Sequence, residues 1–216
     1  MESASILLTL IAAMVYVLGL GMNLIRKNTS LISLYVVQSI AAACALTIFA
    51  HSESAGGLLF AAILTVVVKC IMAPVFFLRL VRRYGARFSA TSYLNIPLTL
   101  FMLAGIALFS HSFISAGIAK LSMPGVDLLI ASIFSALFLM INRRGALASV
   151  VGILSFENGA VLLSTYLGVH HSFALEVAIT FDIVVWIAIA STFLAMMYRQ
   201  FGSIEPALSL SHLREE

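Results

Sequence analysis

Two acidic side chains stand inside long apolar stretches of this chain, where an acid is expensive to keep. Glu157 lies near the centre of GILSFENGAVLLSTYLG (152–168) with Asn158 beside it, and Asp182 lies within the next apolar run. An ionised carboxylate at bilayer depth costs several kcal/mol, about 2.5–3.5 on insertion scales, so such a group is normally bound, paired or exchanging protons. At a rise of ~1.5 Å per residue, Glu157 falls roughly 16 Å from the start of its run and Asp182 roughly 12 Å from the start of the following, oppositely directed one. In a hydrocarbon core ~30 Å thick, both acids then share nearly one level. They are expected to face each other, directly or through water. Two such carboxyls cannot both ionise cheaply, and a shared proton is the raw material of transfer. The plainer alternative is that both are protonated and serve as helix–helix glue.

A third group belongs with them. Lys69 sits in the middle of VVVKCIMAP, too deep for its stem to bring the ammonium to either headgroup region easily. A buried lysine can alternate between charged and neutral forms, which arginine cannot. Pro74, just beyond it, lacks an N–H and is expected to kink the helix and free a carbonyl near the lysine. Glu157, Asp182 and Lys69 are therefore the proton-relay candidates.

Asn158, Glu176, Gln38 and Asp127 are secondary. Gln38 reads as a hydrogen-bonding contact between helices, while Asp127 and Glu176 lie near a membrane interface where solvation makes an acid ordinary. His170 and His171 form a pair without further ligands, weak grounds for a metal. There is no GxSxG, HExxH, CxxC pair or phosphate-binding glycine loop, so the chain carries no recognisable nucleophile, metal or nucleotide motif of its own. Cys44 and Cys70 fall inside apolar runs and read as packing residues.

The elements that must position these residues follow from composition. Of 216 residues 62% are hydrophobic and only 10% charged, against about 25% charged in a soluble domain, and the mean hydropathy is +1.12. An all-α, polytopic membrane protein is the only class this fits. The net charge of +3 comes from short basic clusters between apolar runs, which is a topology signal and not a nucleic-acid footprint. Seven runs reach the ~20 residues needed to span a bilayer: 5–25, 31–50, 57–78, 91–112, 125–141, 146–167 and 174–198. The fifth is the shortest and is open to extension backward through Met123 and Pro124. The first lacks a basic leader and a cleavage signal, so it reads as a mature span.

Arg26 and Lys27, the group Arg79, Arg82, Arg83 and Arg87, the pair Arg143 and Arg144, and Arg199 all fall on one side of the alternating spans. By the positive-inside rule the N-terminus is outside and the C-terminus cytoplasmic. The two ends of the chain also match. MNLIRKNTSLISLYVVQSIAAACAL, from Met22, runs beside LMINRRGALASVVGILSFENGAVLL, from Leu139, and AAILTVVVKC runs beside VAITFDIVVW. Two parallel three-helix units joined by one helix follow, a 3+1+3 duplication: 1–90, a linking helix within 91–122, 123–202, and a cytoplasmic tail, 203–216.

RRGALASVVGILSFENGAVLL followed by EVAITFDIVVWIAIA resembles hydrogenase-4 component E, the membrane subunit of formate hydrogenlyase-type and other group 4 membrane-bound hydrogenase complexes. The triplet Glu157–Asn158–Gly159, the ExxIxxD spacing from Glu176 to Asp182, and the lysine-then-proline of VVVKCIMAP carry the resemblance, which covers essentially the whole chain. Its last three spans are also similar to the K subunit of respiratory complex I and the C subunit of multi-subunit sodium/proton antiporters. Against the complex I pattern, the glutamate of the middle helix falls at Leu154 and that of the last helix at Val185, so both acids are displaced about one turn toward the outside, together. In the first unit Lys69 falls where the last-helix glutamate would be.

The resemblance implies a non-catalytic subunit lining a charged axis that couples redox chemistry to proton or sodium movement. Nickel–iron and iron–sulfur centres would belong to partner subunits and no cofactor to this chain. The expected partners are antiporter-like and complex I-like membrane subunits, soluble hydrogenase subunits and the lipid bilayer, with no nucleic acid. The alternatives are a subunit of a cation/proton antiporter with no redox partner and a purely structural scaffold. The orientation is directly testable: a reporter fused to the C-terminus is expected to be active only as a cytoplasmic type, and a periplasm-only signal would overturn both the span count and the duplication.

Overall fold

The computed structural model of the chain describes residues 2–53, 56–84, 92–117, 125–144 and 146–167. These residues are built almost entirely of helix: α1 (Glu2–Leu24), α2 (Asn28–Glu53), α3 (Gly56–Thr65) running on through a π-helical segment (Val66–Met72) into α4 (Ala73–Tyr84), then α5 (Ile96–Gly117), α6 (Val126–Asn142) and α7 (Ala146–Tyr166). Helix is what hydrocarbon demands, because every backbone N–H and C=O must be satisfied within its own segment. Among the described residues, five stretches are long and apolar enough to cross a membrane: Ile6–Leu24, Asn28–His51, Ala62–Arg79, Ile96–Phe113 and Leu147–Tyr166. The apolar α6 is shorter, at 17 residues. The run at 174–198 lies outside the described residues, as do the loops holding Lys120 and His170–His171.

Several boundaries differ from those read off the sequence: α2 runs over Asn28–Glu53 against 31–50, and α4 ends at Tyr84 against 78. The run at 91–112 becomes helical only at Ile96, with Pro97 in the first turn, where its missing N–H has no intrahelical partner to lose. The helix at 126–142 starts sharply, because Gly125 has φ 98°, a left-handed conformation that cannot continue a helix backward.

The helices pack as two hairpins. α1 lies against α2 and α6 against α7, and across the interface α1 packs on α6 and α2 on α7. The segments that match in sequence are thus the ones that meet. α3 and α4 close on α2, whereas α5 touches mainly α6 and keeps Phe101 and Leu108 at least 70% exposed. The apolar core is split into two clusters. One holds Met22, Leu31, Ile32, Tyr35, Phe77 and Leu147; the other holds Ala12, Val15, Leu46, Leu129, Leu162 and Tyr166. Gln38, Ser39 and Asn158, all buried, lie in sequence between the residues of the two clusters on their respective helices, and the buried Lys69 lies beside Val68 at the edge of the first cluster.

The basic loops do more than set topology. Arg143 is only 4% exposed, and its guanidinium donates to the carbonyl oxygens of Asn23 (3.0 Å), Met22 (3.4 Å) and Ile25 at the end of α1. It caps carbonyls that α1 cannot satisfy itself. Burial, with the charge of Arg26 second, lowers its pKa, but an arginine stays charged. Next to it the Tyr93 N–H donates to the Asn142 carbonyl oxygen at 2.9 Å and the Leu94 N–H to Asn142 Oδ1 at 3.0 Å. The Arg144 guanidinium lies 4.4 Å from the centre of the Tyr93 ring. The ends of α1 and α6 and the start of α5 are therefore tied together at one end of the bundle.

α7 approaches α6 closely because of two glycines seven residues apart. A Cβ on Gly152 would lie 2.5 Å from Met140 Cγ and 3.2 Å from the Ala136 carbonyl oxygen, and one on Gly159 would lie 2.9 Å from Ile133 Cγ1. Small residues at such crossings bring backbones into van der Waals contact, the main attraction between helices in lipid. Gly152→Val is expected to force α6 and α7 apart and to destabilise the full-length chain by about 1–3 kcal/mol, the usual range for overpacking. Denaturant titration in detergent checks this, and an unchanged midpoint would mean that the crossing is loose.

Candidate functional site

Lys69, Glu157 and Asn158 form one buried group. Lys69 Nζ lies 3.0 Å from Glu157 Oε1 and donates to Asn158 Oδ1 at 2.9 Å. The Asn158 amide then donates to Ser39 Oγ at 2.9 Å, so a lysine from the third rod (α3, the π segment and α4), two residues of α7 and a serine of α2 share one polar contact. The lysine side chain is 4% exposed and the glutamate side chain 20%. Glu157 therefore stands at the margin of the group and Lys69 at its centre. All three rods contribute from their middles, so the group sits at mid-membrane depth if the spans cross as their lengths allow.

Local structure explains how Lys69 reaches inward. It belongs to the π segment, whose wider turn is closed by the Ala73 N–H donating to the carbonyl oxygen of Val68, five residues back. π turns within helices are rare and recur at functional positions. Pro74 follows at once and has no N–H to offer the carbonyl of Lys69 or Cys70, the acceptors that a π or an α register would assign to it. The expected break near the lysine is thus a change of helical register. Around the segment Val68, Lys69 and Ala73 are buried while Val66, Val67, Ile71 and Met72 are exposed, so one face carries the charge inward and the other stays apolar.

A second polar group continues toward α1. Gln38, fully buried, donates through Nε2 to the Val15 carbonyl oxygen at 3.2 Å. Asn23 Nδ2 donates to the carbonyl oxygens of Gly19 (3.0 Å) and Ser135 (3.1 Å), and Ser135 Oγ donates to Ser132 O at 2.8 Å. Gln38 Oε1, Asn23 Oδ1 and the Ser132 and Ser155 hydroxyls are buried without a hydrogen-bond partner among the described residues. Buried acceptors of this kind are where internal water is usually held. With Ser39 next to Gln38 on α2, buried polar side chains run from Lys69 through Asn158 and Ser39 to Gln38, and on to Asn23 and Arg143 at the basic end.

Of the residues singled out from the sequence, Lys69, Glu157 and Asn158 come together, and Gln38 makes the interhelical hydrogen bond expected of it. The partner seen for Glu157 is Lys69; Asp182 and Glu176 lie outside the described residues. Asp127 is remote from the site: it sits in the first turn of α6, 3.4 Å from His111 Nδ1, an ordinary place for an acid at a helix start. Sequence reasoning missed Ser39 and gave Arg143 too small a role. Neither a serine in an apolar run nor the second basic residue before a helix carries a distinguishing pattern. Among the described residues no three His, Cys, Asp or Glu side chains gather as metal ligands.

Comparison of the chain with protein-family models, with curated proteins and with solved structures finds no match.

A paired lysine and glutamate in a low-dielectric interior attract strongly but have each lost their hydration, so the pair stabilises little on balance while breaking it costs much. Its distinctive capacity is the transfer of one proton from ammonium to carboxylate, which gives a neutral pair at the same place. That capacity makes a sharp stability test. Lys69→Met and Glu157→Gln each leave a partner that can neutralise itself, and each is expected to cost about 1–3 kcal/mol, as for one unsatisfied polar group. The double variant Lys69→Met/Glu157→Gln should lose less than the sum of the two. Lys69→Arg/Glu157→Gln leaves a cation that cannot deprotonate, and should lose about 3–5 kcal/mol. Denaturant titrations of the four variants in detergent decide; additive losses would show that the two side chains are not coupled.

Proposed function

We propose that this chain is a non-catalytic integral membrane subunit of a complex I-like, membrane-bound hydrogenase assembly of the formate hydrogenlyase type. In it the chain lines a charged axis along which protons or sodium ions are moved by redox chemistry on partner subunits. The observation that carries the reading is the buried Lys69–Glu157 pair, braced by Asn158 and Ser39 in the middle of the helices. A charge pair at this depth is costly to keep, and it stands on the residues on which the resemblance to hydrogenase-4 component E rests. Glu157 and Asp182 act as relay carboxylates, and Lys69 as the counter-charge that gives up and regains a proton. The polar side chains running from Lys69 to Asn23 supply the hydrated neighbourhood such a relay uses.

The packing of α1 on α6 and of α2 on α7 supports the 3+1+3 duplication, with α5 as the peripheral linking helix and 174–198 completing the second unit. The basic end that gathers Arg26, Lys27, Arg143 and Arg144 faces the cytoplasm, and the N-terminus lies outside. Nickel–iron and iron–sulfur centres, and the reaction itself, belong to the soluble partners. A scaffold role is the second reading, favoured by the hydrogen bonds that occupy both ends of the Asn158 amide.

Copurification from the native membrane is expected to bring down nickel–iron hydrogenase subunits; antiporter subunits alone would transfer the reading to an ion exchanger without redox partner. In proteoliposomes holding the whole complex, Glu157→Gln, Asp182→Asn and Lys69→Arg should each leave subunit composition and the soluble half-reaction intact. Ion movement should fall by about 10²-fold, the low end of general acid–base contributions. Full coupling in all three variants would establish the scaffold reading instead.

A further inference from the structure

The third rod carries a feature that the buried pair does not use. Its outward face is an apolar stripe made by Ile63, Val67, Ile71 and Val75, flanked by Val66 and Met72, all more than 40% exposed. At one end the stripe opens into a groove of about 520 Å³ lined by Val75, Leu78, Arg79 and Arg82. Residues three and four apart share a helical face, so these four stand together, and both guanidinium groups are exposed. The opposite face of α4 is anchored: Phe77 and Val81 are buried in the cluster that also holds Leu31, Ile32 and Leu147, near the starts of α2 and α7. The groove therefore lies at the same end of the bundle as Arg26, Arg143 and Arg144. Its floor runs into the hydrocarbon while its two charges stand at the polar boundary.

The occupant has to match both halves. From Val75 to Ile63 the stripe extends roughly 18 Å at the helical rise, a little more than one leaflet of a ~30 Å hydrocarbon core. A free anion would use only the guanidinium groups and an acidic protein segment would leave the membrane-embedded stripe uncovered. One molecule with a phosphodiester head and an acyl tail covers everything. Arginine is also the side chain whose planar fork fits phosphate oxygens in pairs, and basic pockets at the ends of membrane helices are known to take anionic headgroups.

We propose that Arg79 and Arg82 hold the phosphate of an anionic phospholipid, with an acyl chain lying in the groove over Val75 and Leu78 and along the stripe toward Ile63. The site is independent of the Lys69–Glu157 pair and serves to fix the third rod against the lipid at the end where α4 leaves the bilayer.

The full-length chain, purified in detergent and stripped of lipid, is titrated with phosphatidylglycerol and, separately, phosphatidylcholine, and the adducts are resolved by native mass spectrometry. Saturable binding of phosphatidylglycerol over phosphatidylcholine is expected. Arg79→Gln/Arg82→Gln should weaken it roughly 30-fold, about 1 kcal/mol for each basic residue at the surface. Val75→Trp, which fills the groove and leaves the charges, should weaken it as well and carries the test if the arginine variant fails to fold. Arg26→Gln/Lys27→Gln removes equal charge from the same end and should change binding by less than about twofold if the groove alone provides the clamp. Undiminished binding in the groove variants would overturn the site, as would an equal loss in the Arg26/Lys27 variant. Displacement of the lipid by inorganic phosphate at equal concentration would reduce it to an anion site without a lipid. A copurifying acidic subunit whose removal alone exposes the groove would make it a protein interface.

Discussion

Removing the Lys69 ammonium from water is the constraint from which the rest of this architecture follows. The ammonium lies among apolar helices, on a side chain only 4% exposed. It is held by a carboxylate at 3.0 Å and an amide oxygen at 2.9 Å. Those two acceptors are adjacent in sequence on α7, and that adjacency has a consequence for register. Asn158 faces inward and is closed off by Ser39 of α2. Glu157, one residue back around the helix, stands at the margin, its side chain 20% exposed. One of the two acceptors is thereby fixed by hydrogen bonds on both sides, while the other lies nearer the surface of the group.

The backbone is arranged to serve this point. α7 can present Glu157 and Asn158 only because Gly152 and Gly159 let it sink onto α6. The third rod presents Lys69 only because its turn widens to the π register immediately before Pro74. Above and below the polar level the packing is apolar and tight, with Tyr35, Phe77 and Leu154 on one side and Leu46, Leu129 and Leu162 on the other, all buried. Water that reached Gln38 or Ser155 would thus be confined to a thin layer, where electrostatic interactions are strong because the surroundings are poorly polarisable.

Arg143 meets the same constraint with the opposite outcome. It too is buried, and its guanidinium donates to the carbonyl ends of α1, groups that every helix leaves unpaired. Those hydrogen bonds tie α1 to the end of α6. Lys69 instead faces a carboxylate and an amide oxygen. The two buried cations thus differ in what accepts their hydrogen bonds: backbone carbonyls for Arg143 and side-chain oxygens for Lys69.

The sequence alone determined that the chain is helical and membrane-embedded, because the length and purity of the apolar runs leave no other way to satisfy the backbone. It also marked Lys69, Glu157 and Asn158, since a polar residue in the middle of an apolar run is conspicuous whatever it touches. It set the register of the hairpins too, through the basic pairs that begin α2 and α7. The contact between Lys69 and Glu157 was not legible there. Depth set Glu157 level with Asp182, a residue outside the described ones, and depth supplies only one coordinate, whereas contact depends on which faces of the helices converge. Ser39 and Arg143 were hidden for the same reason: a serine in a span and an arginine beside it are common, and only the tertiary structure decides that one closes an amide and the other caps a helix. The π segment is likewise a tertiary outcome. Valine, lysine and cysteine carry no pattern that marks a wider turn, and the proline beyond them withholds one N–H without deciding which register precedes it.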